Sequence, residues 1–167
     1  MVPAKRGAAP KKEARAEKHP GNAPTPAAKA AKVTKSALEP KQILITDDEQ
    51  YLRELLTSQL QEKGYKCVSL ASKADAYKWS LEHKPDLIIT DINSPGMDGF
   101  QFLRLIKSHV STGKVPVVFL TGVASNETAE QAKRLGAAEF VTKPCSLADV
   151  QTVVERVLTT GLHKRPR

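Results

Sequence analysis

The 167 residues carry 26 Lys and Arg against 18 Asp and Glu, a formal charge of +8, but residues 1–41 alone hold ten basic and three acidic side chains. Residues 42–163 hold 13 basic and 15 acidic side chains, so the pI of about 9.5 belongs to the ends and the middle is mildly acidic, large enough for one hydrophobic core and too small for two. No apolar run approaches the roughly 20 residues of a membrane helix, no secretory signal opens the chain, and the GxGxxG, P-loop and HExxH patterns do not occur.

Residues 1–41 are rich in Ala, Lys and Pro and hold no aromatic side chain; Val2, Val33 and Leu38 are their only branched apolar ones. So little apolar surface does not offset the roughly 1–2 kcal/mol per residue that ordering a backbone costs, and a disordered basic tail is predicted. Glu13 and Glu17 count against an organelle transit peptide. After Pro40 the texture changes. A buried strand over 43–46 runs into Thr46-Asp47-Asp48, and Leu52, Leu55, Leu56 and Leu60 follow at helical spacing up to Gly64. The cycle repeats: strands over 66–70, 86–91, 115–120 and 138–142, and helices over 73–83, 99–109, 125–135 and 146–159. Ser146 and Asp149 are spaced as a capping box for the last helix. Alternating continuous apolar strands and helices predict a parallel sheet covered on both faces, a doubly wound α/β fold.

In such sheets a ligand sits beyond the carboxyl ends of the strands. The first strand ends in Asp47-Asp48, the third in Asp91, the fourth in Leu120-Thr121, and the fifth runs into Thr142-Lys143-Pro144. Each of these residues alone reads equally well as a helix cap or loop charge; together they place three carboxylates, a hydroxyl and an ammonium on one edge. Clustered carboxylates repel and call for a divalent cation, and oxygen ligands favour Mg2+, Mn2+ or Ca2+. A Thr and a Lys beside the metal suit the outer oxygens of a phosphoryl group.

The motifs Thr46-Asp47-Asp48-Glu49, Thr90-Asp91-Ile92-Asn93-Ser94-Pro95-Gly96-Met97-Asp98-Gly99, Leu120-Thr121-Gly122 and Gly136-Ala137-Ala138-Glu139-Phe140-Val141-Thr142-Lys143-Pro144 resemble the receiver domain of two-component response regulators. That resemblance covers residues 42–159. It implies a flavodoxin-like fold with five parallel strands and five helices over 42–160, flanked by the tail 1–41 and a short basic tip at 161–167. Asp91 then resembles the phosphoacceptor, taking a phosphoryl group from a sensor histidine kinase or phosphotransfer protein. Asp48 and Asp91 would ligate Mg2+, with Mn2+ as a substitute, Asp47 would act through water, and the backbone carbonyl of Asn93 would be a further ligand. Lys143 would pair with Asp91 and then with the phosphoryl oxygens. Thr121 would move to hydrogen-bond the phosphoryl group, and Phe140 would turn into the space left behind. The Lys143–Pro144 bond resembles the family's cis peptide. The resemblance implies no enzyme beyond self-phosphorylation and slow self-dephosphorylation, and no output domain, so that a downstream protein reads the face built from residues 125–159.

Four positions depart from the family pattern. Ser94 replaces a Met or Leu, so the loop packs less apolar surface. Cys145 replaces a large hydrophobe and reads as a small buried residue. Gly122 replaces a common Ala. Val123 is apolar where some relatives assist the hydrolytic water, which implies slow loss of the phosphoryl group. Cys67 and Cys145 form no metal or redox spacing and fit a reduced cytoplasm. The tail is similar in composition to linker-histone tails. It is left as a solvated arm, a non-specific contact to DNA or an acidic partner, or an attraction to a membrane surface. Two other functions compete: a metal-dependent phosphohydrolase, against which Asn93 stands where a second Asp is expected, and a nucleoid-type binding protein with the domain as scaffold.

Overall fold

Ile43-Leu44-Ile45, Leu87-Ile88-Ile89 and Val117–Leu120 are apolar on both alternate sides, and a strand of that kind can be satisfied only between two layers of helix. In the computed structural model, which describes residues 39–122 and 125–160, the strands are β1 (Gln42–Thr46), β2 (Lys66–Leu70), β3 (Leu87–Asp91), β4 (Val117–Thr121) and β5 (Glu139–Thr142). They form one five-stranded sheet in the order β2-β1-β3-β4-β5, every neighbouring pair parallel. The helices between them are α1 (Gln50–Glu62), α2 (Lys73–His83), α3 (Gly99–Ser108), α4 (Asn126–Arg134) and α5 (Leu147–Thr160).

Two apolar layers result. Leu56 and Leu60 of α1 and Val150, Val154 and Val157 of α5 pack on Ile43, Ile45, Leu87, Ile89, Val118 and Leu120. On the other face Ala76 of α2, Phe102, Leu103 and Ile106 of α3 and Ala132 of α4 pack on Leu44, Ile88, Val117 and Phe119. Each fully buried Leu, Ile or Val contributes about 1.5–3 kcal/mol, which outweighs the weak helix propensity of short segments such as α3, with Leu103 and Ile106 buried.

Helix ends follow local chemistry. Ser72 accepts from the Asp75 N–H, Asp98 from Phe100 and Gln101, and Ser125 from Thr128. The predicted capping box is present: Asp149 N–H donates to Ser146 Oγ (3.1 Å) and Ser146 N–H to Asp149 Oδ2 (3.0 Å). β4 begins two residues later than periodicity predicts. Val115 instead donates to the Thr112 carbonyl and offers its own carbonyl to the Lys107 ammonium at 2.7 Å, so it closes a turn before the ladder starts. Of the two expected tails, only Glu39–Lys41 is described; residues 1–38 and 161–167 lie outside the described residues. Lys41 belongs to the domain edge, where its ammonium pairs with Asp86 at 2.9 Å. No described helix is long and apolar enough to cross a membrane.

Candidate functional site

The chain leaves β1 toward β2 on one side and returns to β3 on the other, so the strand order reverses between β1 and β3. The crevice at that reversal is where doubly wound sheets bind ligands. Asp47 and Asp48 follow β1 and Asp91 closes β3, which puts the three predicted carboxylates at that crevice. Asp47 and Asp91 are buried (3% and 6% exposed), whereas Asp48 and Asn93 are exposed at its rim. Thr121 closes β4 and is fully buried. The Lys143 N–H donates to the Thr121 carbonyl at 2.7 Å, continuing the β4–β5 ladder and bringing the predicted Thr and Lys side by side. The Lys143–Pro144 peptide is cis.

Lys143 reaches across from the β5 side, but its partner differs from expectation. Its ammonium donates to Asp47 Oδ2 at 2.9 Å, and its influence on Asp91 is exerted at longer range. The reason lies in the turn after β1. Asp47 Oδ1 accepts the Glu49 N–H at 2.9 Å, which aims Oδ2 toward Lys143. The Arg53 guanidinium, from the first turn of α1, holds the Asp47 carbonyl at 2.7 Å. Arg53 is a site-positioning residue that the helical pattern alone does not single out.

Burial pushes the Asp91 carboxyl above its ordinary range, further than the Lys143 ammonium pulls it back; Asp47 adds to the rise, while Lys73 and the Ile92 N–H oppose it. Gly99 makes this placement possible. A Cβ there would lie 2.7 Å from the Asp91 carbonyl oxygen and 2.7 Å from Ile92 Cα, and the Gly99 N–H donates to the Ile92 carbonyl at 2.8 Å. Glycine lets α3 start against the end of β3.

Lys73 is the residue missed by sequence reasoning. It opens α2, is 3% exposed, and hydrogen-bonds the Ser94 hydroxyl in the loop after Asp91. Burial lowers its pKa; Asp91 foremost, then Asp47, Asp48 and Asp98, oppose that. The only hint in the sequence is the polar Ser94 at a position usually apolar.

Phe140 is half-buried against the α2–α4 layer. Both cysteines are free. Burial pushes the Cys67 thiol up to about 11, and it raises Cys145 despite the nearby Lys143, so neither is an activated nucleophile. Val123, on which slow phosphoryl loss rests, lies outside the described residues. Among the described residues no three metal-ligating side chains are gathered round one point. The donor set is nonetheless of the right kind for Mg2+, which takes one or two carboxylates and keeps several waters.

A family profile described as the response regulator receiver domain matches residues 43–155. Response regulator Rre1 of Synechocystis is 33% identical over 121 residues, 72% of this chain and 52% of that protein. The phosphate regulon transcriptional regulatory protein PhoB of Pseudomonas aeruginosa is 32% identical over 118 residues, 71% of this chain and 52% of that protein. The chain thus spans about half the length of these relatives. Among solved structures, chemotaxis protein CheY4 of Vibrio cholerae superposes with a TM-score of 0.69 at 28% identity, covering 71% of this chain and 99% of that one. The signal receiver domain of a Syntrophus aciditrophicus signal transduction histidine kinase gives 0.66 at 30% identity, covering 75% and 95%.

Proposed function

Since the chain belongs to the response regulator receiver domain family of two-component systems, we propose that it is a phosphoacceptor switch in which Asp91 takes a phosphoryl group from the phosphohistidine of a sensor histidine kinase or phosphotransfer protein. The observation that carries this reading is the meeting of Asp91, Asp47, Thr121 and Lys143, drawn from four different strand ends, at the reversal of strand order. An isolated carboxylate, cap or loop charge does not require that convergence.

A carboxylate oxygen of Asp91 forms a bond to phosphorus as the P–N bond to the donor imidazole breaks. The electron pair stays on that nitrogen, which takes up a proton, and Asp91 becomes an acyl phosphate. Asp48 and Asp91, with the Asn93 carbonyl and Asp47 through water, would hold Mg2+ or Mn2+. The ion supplies charge that offsets the repulsion between nucleophile and phosphoryl oxygens. Lys143, already anchored on Asp47, is placed to turn its ammonium to a phosphoryl oxygen. The Thr121 hydroxyl would supply a hydrogen bond from the β4 side, and Phe140 would follow it inward. The face formed by α4, β5 and α5 would then be read by a downstream protein. Free, unactivated cysteines accord with reaction in the cytoplasm.

Residues 1–38, with nine basic and two acidic side chains, favour a second, separate role in non-specific contact with DNA or an acidic partner. For the switch itself the deciding measurement is phosphorylation by acetyl phosphate, or beryllofluoride binding, in Mg2+. Wild type is expected to react and Asp91→Asn to be silent; incorporation that survives Asp91→Asn would refute the assignment.

A further inference from the structure

Lys73 occupies a position that simple rules disfavour twice. It is the first residue of α2, directly after the Ser72 cap, where the helix dipole repels a cation. It is also almost completely buried, where an ammonium loses its hydration. Among the described residues the charges that oppose these penalties are Asp91 foremost, then Asp47, Asp48 and Asp98, and they offset the burial only in part.

The sheet order explains how the lysine gets there. α2 follows β2, which lies beside β1 on the flank away from β3; Lys143 follows β5, at the opposite edge of the sheet. Two ammonium groups therefore approach the central carboxylates from opposite sides. Lys143 makes a direct ion pair with Asp47. Lys73 is not in any of the four ion pairs formed among the described residues. It is fixed instead by the Ser94 hydroxyl, one residue beyond the Asn93 carbonyl that the metal would use. A Met or Leu at 94 would remove the lysine's acceptor, so the unusual Ser94 and the buried Lys73 account for each other.

We infer that Lys73, held by Ser94, is a built-in counter-ion of the acidic pocket that competes with the divalent cation for the same carboxylate field and so sets the cation concentration at which the site loads. This inference rests on the reading of the pocket as the Mg2+-dependent phosphoacceptor site. Lys73 acts through the carboxylates and is a positioning residue, not a group that touches the phosphoryl.

The test is calorimetric titration of the full chain with MgCl2, together with the shift in thermal midpoint between EDTA and saturating Mg2+. Lys73→Met removes the charge and keeps an unbranched stem one atom shorter. It is expected to tighten Mg2+ at least about tenfold and to enlarge the Mg2+-induced rise in the midpoint. Lys73→Arg keeps the charge and is expected to stay within about twofold of wild type. Lys73→Gln, which can still bond Ser94, is a second charge-free variant if the Met variant folds poorly. Unchanged or weaker Mg2+ binding in the charge-free variants would overturn the inference, as would failure of both to fold in Mg2+ as well as in EDTA, since Lys73 would then be structural. Asp91→Asn separates the two layers. Wild-type binding that weakens in Asp91→Asn leaves the site reading intact whatever Lys73 does, whereas a wild type that takes up no Mg2+ sinks both.

Discussion

Thr46 ends β1 one residue before the acidic turn, with a hydroxyl that is buried and has no hydrogen-bond partner. Valine has nearly the same shape without that oxygen, so Thr46→Val is expected to stabilise the domain by about 1 kcal/mol, read as a higher urea midpoint at constant m-value. Lys107 is the opposite case, a half-buried cation with partners. Its ammonium donates to the Val115 carbonyl at 2.7 Å, its stem passes under Gly136, and burial lowers it from 10.5 to about 8. Between pH 8 and 10.5 the unfolded chain therefore binds a proton that the folded chain does not, and this lysine makes stability rise with pH across that window. Lys107→Met is expected to remove the rise; the difference between the two urea midpoints, which cancels the cysteines and tyrosines common to both, should grow from pH 8 to 10.5 in favour of wild type. At this scale the sequence is only half legible. Asp47, Asp91, Thr121 and Lys143 sit at strand ends that hydrophobic runs locate, so their convergence can be read in advance. Lys73 and Arg53 look like ordinary surface charges of helices, because what gives them a role is a partner in another segment: Ser94 for one, the Asp47 carbonyl for the other.

Elements were the most readable level, since continuous apolar runs and 3.6-residue spacing report burial directly. α2 over Lys73–His83 and β2 over Lys66–Leu70 coincide with their predicted bounds. Where a bound moved, as at Val115, a lysine side chain and a tight turn captured the backbone groups that a strand would have used. Junctions carry the function, and the β3–α3 junction is the most constrained. The Asp98 carboxylate caps α3 through the N–H groups of Phe100 (2.7 Å) and Gln101 (3.0 Å), and Phe100 packs edge-on against Phe119 with ring centres 5.6 Å apart. The loop is thus pinned from the helix side while Gly99 touches the strand. A methyl group at 99 would meet backbone, not a yielding side chain. Gly99→Ala is expected to destabilise by about 2–3 kcal/mol and to slow acetyl phosphate-driven labelling of Asp91, because the strand end must retreat. Normal labelling in a destabilised variant would mean that Asp91 is placed by the sheet alone.

On the scale of the whole molecule, charge and chemistry are divided along the chain. Residues 1–38 carry nine basic and two acidic side chains, a net of +7, while the remainder carries +1. The compact unit that holds the acidic pocket begins at Glu39. Lys41 is the last basic residue before β1 and is engaged by Asp86, so a cut before Glu39 leaves the sheet edge intact. Removing residues 1–38 is therefore expected to leave the urea midpoint and the Asp91-dependent labelling unchanged. Any retention on duplex DNA at low salt should vanish with them, because the domain offers no compensating excess of positive charge. With no Phe, Tyr or Trp in that segment, stacking on bases contributes little. Binding by the full chain should then fall linearly with salt on logarithmic axes, by about 0.9 per phosphate contacted, and be indifferent to sequence. A mobility shift series at 50–200 mM salt separates the possibilities. Binding kept by residues 39–167 would place the nucleic-acid contact on the domain itself, and a loss of labelling on truncation would tie the tail to the phosphoacceptor instead of to a partner.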